Sequence, residues 1–185
     1  MPPIVVYDAN VLYGNTMRDL LIRLARTGVV QGKWTNLILD EMLRARAVNH
    51  PEVPSAKLRR LRQLMIVGVK NCLVEDFEPL IDGLELPDPD DRHVLAAAIK
   101  CRAQLIVTSN LSDFPAKQLA AWNLEAKSPD DFLLDQIDRH DWVVRACIQQ
   151  IANSRINPPE TVDVVLDYLE RAGLVESAAA LRSSG

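Results

Sequence analysis

Ile4-Val5-Val6-Tyr7 runs without a polar break between Pro3 and Asp8, which predicts a buried strand. The period then changes. Met17, Leu20, Leu21, Leu24 and Ala25 recur at helical spacing, and Gly28 is placed to stop that helix. Residues 31–35 predict a short second strand. Leu37, Ile38, Met42 and Ala45 mark a helix that ends before Pro51 and carries Glu41. Residues 55–67 read as helix with Ser55 as its cap, residues 72–74 as a strand, and residues 77–84 as a short helix. Leu86-Pro87-Asp88-Pro89 is a loop and helix entry, and the helix runs through Leu95-Ala96-Ala97-Ala98-Ile99 to about Arg102. Residues 104–108 are the clearest late strand. Residues 115–121 and 129–138 look helical, with a strand expected at 124–127 between them.

Short strands alternating with helices predict an α/β layer around a mostly parallel sheet. Ligands in such sheets gather beyond the carboxyl ends of the strands. Asp8 and Asn110 follow the ends of the two best strands, so this architecture can bring them together. After about residue 139 the strand signals stop. Residues 141–152 and 161–172 read as helices separated by Asn157-Pro158-Pro159, Gly173 ends the second, and 174–182 predict a last short helix. The expected organisation is a domain over 1–130 and a helical C-terminal extension over 131–185.

A chain of 185 residues is long enough for one real core with an appendage. No apolar run approaches the roughly 20 residues that span a bilayer, and Met1-Pro2-Pro3-Ile4 lacks the basic start of a signal peptide. The expectation is a cytoplasmic protein with no membrane partner. Cys72, Cys101 and Cys147 are odd in number and set among apolar neighbours, which reads as buried thiols. His50, His93 and His140 show no ligand spacing, so any metal would be held by oxygen. The net charge of −4 is unevenly spread: residues 1–130 carry 16 Lys/Arg against 16 Asp/Glu, and 131–185 carry 5 against 9. If acids of the first part converge on a cation, its remaining surface is relatively basic, and a polyanionic substrate is compatible with the low pI. The acidic tail is expected to pack on the core or on a protein partner rather than on a polyanion.

The candidate chemistry lies in acidic stations at the ends of separate elements. Asp8 and Asn10 follow the first strand, Glu41 sits on a helix, Asp88, Asp90 and Asp91 precede another helix, and Asn110 and Asp113 follow the strand ending at Thr108. Mg²⁺ and Mn²⁺ take oxygen ligands and retain waters, so a few carboxylates with a carboxamide or hydroxyl suffice. Each station also has a structural explanation. Asp-x-Asn is favoured in turns, a helical Glu is usually solvated, and Asp88-Pro89-Asp90-Asp91 suits a helix start with Asp88 as cap, Pro89 at the first position and Asp91 as capping-box acid. A cap does not need three carboxylates, however, and concentrating them costs repulsion that a cation relieves.

The order of these stations resembles the PIN-domain family of metal-dependent nucleases, and within it the bacterial VapC-like toxins. The matching residues are Ile4-Val5-Val6-Tyr7-Asp8-Ala9-Asn10-Val11-Leu12, Glu41 in Leu39-Asp40-Glu41-Met42, Asp88-Pro89-Asp90-Asp91-Arg92-His93-Val94-Leu95-Ala96-Ala97-Ala98, and Val107-Thr108-Ser109-Asn110-Leu111-Ser112-Asp113-Phe114. The resemblance covers roughly residues 1–130. It implies a three-layer α/β/α sandwich, a carboxylate pocket for Mg²⁺ or Mn²⁺, and endoribonuclease activity leaving 5′-phosphate and 3′-hydroxyl ends. It also implies inhibition by a small antitoxin encoded next door, and a homodimer by analogy. Carried over by position, Asp8, Glu41 and Asp91 are the catalytic acids. The metal ligands are Asp8 and Asp91, with Asp90 as the fallback for Asp91. The fourth family position falls at Asn110, where many members have Asp, which leaves Asp113 as the charged contributor. Asn10, Thr108 and Asn110 are supporting residues.

The implied chemistry is hydrolysis of an RNA phosphodiester, with Arg44, Arg46, Lys57, Arg59, Arg60 and Arg62 as candidates for holding flanking phosphates. A solvated helix face explains that basic run equally well. A phosphatase of the haloacid dehalogenase type would need an acid at Asn10 and a later Gly-Asp-x-x-x-Asp, and the chain has neither. A catalytically silent PIN-like module that binds RNA or protein is the second alternative. Asn110 speaks for it, and the retained Asp8, Glu41 and Asp91 speak against it.

Overall fold

In the computed structural model, which describes residues 1–183, the opening apolar run becomes β1 (Ile4–Tyr7), with Val5, Val6 and Tyr7 wholly buried. Burial on both faces is what a central parallel strand requires. The chain then forms α1 (Ala9–Leu12), α2 (Asn15–Thr27), β2 (Gln31–Lys33), α3 (Asn36–Asn49) and α4 (Ser55–Gly68). It continues through α5 (Arg92–Lys100), β3 (Leu105–Val107), α6 (Ala116–Ala120) and β4 (Glu125–Lys127). Three further helices complete it: α7 (Pro129–Ser154), α8 (Val162–Arg171) and α9 (Val175–Ser183). Among the described residues the sheet has the order β2-β1-β3-β4, and every pairing is parallel. The chain winds to opposite sides of β1, so a switch point lies between β1 and β3.

Side chains alternate across the sheet. Tyr7 turns toward α7, where its ring meets Phe132 edge-on at 6.0 Å, and it stacks on Trp34 at 6.4 Å. Helix α5 packs on β1 and β3, and its residues 94–98 are all buried. The small Ala96-Ala97-Ala98 run lets the helix seat closely. The result is the expected three-layer α/β/α arrangement with a helical region at the C-terminal end. Helix α2 ends as its sequence requires: Gly28 adopts φ 84° and its N–H donates to the Ala25 carbonyl.

Several expected elements take other forms. Residues 72–74 form a single bridge between Leu73 and Trp34 rather than a strand, because Asn71 and Asp76, at φ 55° and 57°, bend the chain on either side. The expected helix at 77–84 is a 3₁₀ turn over Glu78–Gly83. Ser55 is the first residue of α4 and Pro54 its cap, so the Ser55 hydroxyl accepts from Arg59 instead of from the helix backbone. The helices expected at 129–138 and 141–152 are both present: α7 is two helical segments that meet across a kink at His140 (φ −144°, ψ 42°). The kink falls at the expected break.

The C-terminal region packs on the core through α7 and α8 against α2. Its last helix is tied back by Asp130 at the start of α7. The Asp130 carboxylate accepts from the backbone N–H groups of Glu176 and Ser177 at 3.0 and 2.9 Å and from the buried Ser177 hydroxyl at 2.6 Å. It therefore satisfies the otherwise unpaired N–H groups that begin α9.

Gly32 tests the packing beneath β2. A methyl group added there meets Tyr7 Cε2 at 2.8 Å and the Ala25 Cβ at 3.2 Å, whereas one added at Gly83 meets nothing within 4 Å. Urea unfolding of Gly32→Ala is expected to show a loss of about 1–3 kcal/mol at unchanged m-value. Gly83→Ala is expected to stay within about 0.5 kcal/mol of the parent.

Candidate active site

The centre of the site is Asp8, only 2% exposed, where β1 passes into α1. A buried carboxylate needs hydrogen bonds, and Asp8 has three. Oδ1 accepts from the Ala9 N–H at 2.7 Å, and Oδ2 accepts from the Thr108 hydroxyl at 2.8 Å and the Asn10 carboxamide at 2.9 Å. Asn10 extends this clasp across the sheet, since its Oδ1 accepts from the Ser109 N–H at 3.0 Å. The Thr108 hydroxyl in turn accepts from the Asn110 N–H at 3.1 Å. The ends of β1 and β3 are thus locked together through the side chains expected to support the site. Burial pushes the Asp8 carboxyl up, the bonds from Thr108 and Ala9 pull it down, and Glu41 and His93 act on it in opposite directions.

Asp91 closes a 3₁₀ turn, Pro89–Asp91, that leads into α5. Asp88 caps this turn by accepting from the Asp90 N–H at 2.9 Å, as its sequence position predicts. Asp91 makes no side-chain cap bond, so it does not play the capping-box role, and its carboxylate remains available to the site. Desolvation pushes its pKa up to about 7, and the charges of Asp8, Asp113, Asp88 and Glu41 push in the same direction. Acids from four separate segments therefore act on one another here. Asp90 is exposed. Asn110 is also exposed and works through its backbone, donating to Thr108 and accepting from the Asp113 N–H at 3.0 Å. The charge that reaches Asp91 from this turn is that of Asp113.

Glu41, on α3, has a half-exposed side chain whose Oε2 lies 3.5 Å from His93 Nε2. His93 follows Asp91 by two residues, and its place in the site has no signal in the sequence, because only folding brings α3 and α5 together. Of the basic candidates, Arg46 donates to the Tyr13 carbonyl at 2.9 Å and lies over the Tyr13 ring, and Arg62 pairs with Asp40. Arg59 donates to Ser55 at 3.2 Å. Arg44, Lys57 and Arg60 are exposed. Arg18 has no counterpart among the expected residues. It is buried, and it donates to the Leu12 and Tyr13 carbonyls and to Asn15, fixing the turn that follows Asp8.

Among the described residues, no three His, Cys, Asp or Glu side chains are arranged so that they could hold a metal ion between them. The donor chemistry nevertheless fits a hard cation that keeps several waters. Asp8 Oδ2 has both lone pairs engaged, but Oδ1 accepts one bond and has one lone pair left for a ligand. Asp91 carries a carboxyl group whose ionisation the neighbouring acids oppose and a cation would favour.

An acidic site at the switch point of a parallel α/β/α sheet defines an Asp-centred α/β protein. Residues 4–112, more than half of the chain, match the family model described as PIN domain, and the chain belongs to that family. Residues 129–183 match a second model, described as VapC50 C-terminal domain. A curated relative from Mycobacterium tuberculosis (strain ATCC 25618 / H37Rv), "Putative ribonuclease VapC50", is 47% identical over 79 residues, which are 43% of this chain and 47% of the relative. The match thus spans about half the length of that relative. No solved structure matches the chain.

The Asp91 carboxyl predicts a stability profile of inverted sign. Its folded pKa of about 7 lies above the ordinary 3.8, so between these values the folded state holds a proton that the unfolded state has lost. The contribution is therefore full below about pH 4 and lost as the pH rises through about 7. In thermal scans with EDTA, Asp91→Asn is expected to melt above the parent at about pH 8 and together with it at about pH 4. A gap that widens toward acid pH would contradict this assignment.

Proposed function

We propose that the chain is a divalent-cation-dependent endoribonuclease that hydrolyses RNA phosphodiester bonds, and that it is the toxin of a toxin–antitoxin pair. The observation that carries this reading is the mutual action of Asp8, Glu41, Asp91 and Asp113, from different elements, at the carboxyl end of a parallel sheet. Membership of the PIN family and the likeness to a protein named as a ribonuclease support it. Asp8, Glu41 and Asp91 are the proposed catalytic acids. Asp8 and Asp91 are the proposed holders of Mg²⁺ or Mn²⁺, with Asp113 contributing its charge and Asp90 secondary because its side chain is exposed. A cation bound there lowers the pKa of an attacking water and offsets charge developing on the phosphoryl oxygens.

The chain's own residues do the positioning. Thr108, Asn10 and the Ala9 N–H hold Asp8 in one rotamer, leaving one face of Oδ1 toward the site. The Asn110 turn fixes Asp113, whose charge acts on Asp91. Exposed Arg44, Lys57 and Arg60 are the proposed contacts for flanking phosphates, which fix register without reading sequence. Arg46, Arg59 and Arg62 are already engaged with protein groups and contribute less. A small antitoxin protein is the proposed partner, with a homodimer as the proposed assembly and the cytoplasm as its compartment. Among the described residues no helix is long and apolar enough to cross a membrane. The proposed division places the nuclease domain at 1–130 and the helical extension at 131–185.

The test is cleavage of structured RNA by purified protein with Mg²⁺, Mn²⁺ or EDTA. Cleavage is expected only with a divalent cation, and Asp8→Asn and Asp91→Asn are each expected to slow it by on the order of a hundredfold or more. Cleavage that persists in EDTA, or in both variants, overturns the proposal. RNA binding without cleavage indicates the catalytically silent module.

A further inference from the structure

The contact between His93 and Glu41 joins two of the acid-bearing helices. Glu41 comes from α3, and half of its side chain is exposed. A glutamate held by nothing samples several rotamers, and fixing it costs side-chain entropy. His93 has the opposite character. It sits in the first turn of α5, directly after the Asp91 turn, and its side chain is only 14% exposed. Its Nε2 stands 3.5 Å from Glu41 Oε2, a contact longer than an ordinary hydrogen bond, and His93 and Glu41 act on the ionisation of Asp8 in opposite directions. The ring thus contacts the acid of α3 and acts electrostatically on Asp8.

Which nitrogen carries the proton follows from burial. Nδ1 is buried and has no hydrogen-bond partner. A buried N–H without an acceptor is costlier than a bare acceptor, so a neutral ring places its hydrogen on Nε2, facing Glu41. We infer that His93 is a positioning residue whose Nε2–H holds the Glu41 carboxylate toward Asp8 and Asp91. This inference rests on the nuclease reading of the site. It assigns to a side chain on α5 the task of ordering an exposed acid on α3 that would reach the cation beside Asp8 and Asp91, as the outer partners of metal-binding groups do.

Two measurements test the inference. In metal-free protein at about pH 8, long-range ¹H–¹⁵N spectra are expected to show His93 as the Nε2–H tautomer, and an Nδ1–H tautomer overturns the inference. Mn²⁺ binding followed by electron paramagnetic resonance is expected to weaken about 10- to 100-fold in His93→Phe. His93→Gln, whose carboxamide can present a donor near the Nε2 position, is expected to stay within about threefold of the parent. Combining His93→Phe with Glu41→Gln is expected to weaken binding less than the two single effects together. Parent-like Mn²⁺ affinity in a folded His93→Phe, or equal losses in the Phe and Gln variants, overturns the positioning role. Absence of Mn²⁺ binding in the parent overturns this inference and the metal-nuclease reading together. Parent-like cleavage and binding in His93→Phe removes only the inference.

Discussion

A carboxylate at the end of a buried parallel strand has lost most of its water, and the surroundings of Asp8 replace what was lost. Its oxygens receive one bond from its own following N–H and two from side chains, and one of those side chains, Thr108, is itself fully buried at the end of β3. The same bonds that make the burial of Asp8 tolerable set the separation of the two strand ends. Asn10 reinforces that separation by bridging to the Ser109 N–H. The Asn110 turn hangs from the Thr108 hydroxyl, and Asp113 follows one 3₁₀ turn later. The position of a remote acid therefore depends on the bond network of the central one.

A second constraint is charge. Burial and four neighbouring acids oppose ionisation of Asp91, and the fold accepts that cost at a helix entry where Asp88 alone supplies the cap. A purely structural helix start gains little from a further carboxylate whose ionisation Asp8 and Asp113 oppose. Strain of this kind, concentrated at the carboxyl end of a sheet and at a switch point, is a reason to read function into the site. The C-terminal region meets its own charge differently. Asp130 spends its carboxylate on the start of α9, and Arg182 pairs with Asp167 and Glu170, so part of the excess acid in the tail is consumed in holding its helices together.

Much of the frame was legible because its elements bury one type of face. The strand at 4–7, the helix stopped by Gly28, the helix bearing Glu41 and the late strand before Thr108 each show one clear period, and the structure places them there. Residues 72–74 have strand-like composition, but the left-handed residues at Asn71 and Asp76 leave room for one bridge, and backbone φ is not visible in apolarity. The break inside α7, by contrast, was legible: polar residues surround His140, and there the backbone leaves helical φ/ψ. Asp8, Asn10, Glu41, Asp91 and Asp113 could be nominated as candidates because each lies at a recognisable boundary or within a recognisable helix. Arg18 and His93 could not. Arg18 reads as an ordinary surface residue of α2 until its guanidinium is seen on the Leu12 and Tyr13 carbonyls, and His93 has meaning only beside Glu41.

The acids also differ in how firmly they are held, and that difference orders their roles. Asp8 is immobilised by three hydrogen bonds, and Asp91 sits where a turn meets a helix, so the first is placed by its bond partners and the second by the backbone. Asp113 is placed by the Asn110 turn, while Glu41 reaches in from a helix surface with half its side chain in water. A site assembled from rigid and mobile ligands gains precision only if the mobile ones are restrained from behind. Among the described residues His93 is the ring in contact with Glu41, and α5, the helix that carries it, is packed on β1 and β3. The stiffness of the sheet therefore reaches the exposed Glu41 through a single imidazole.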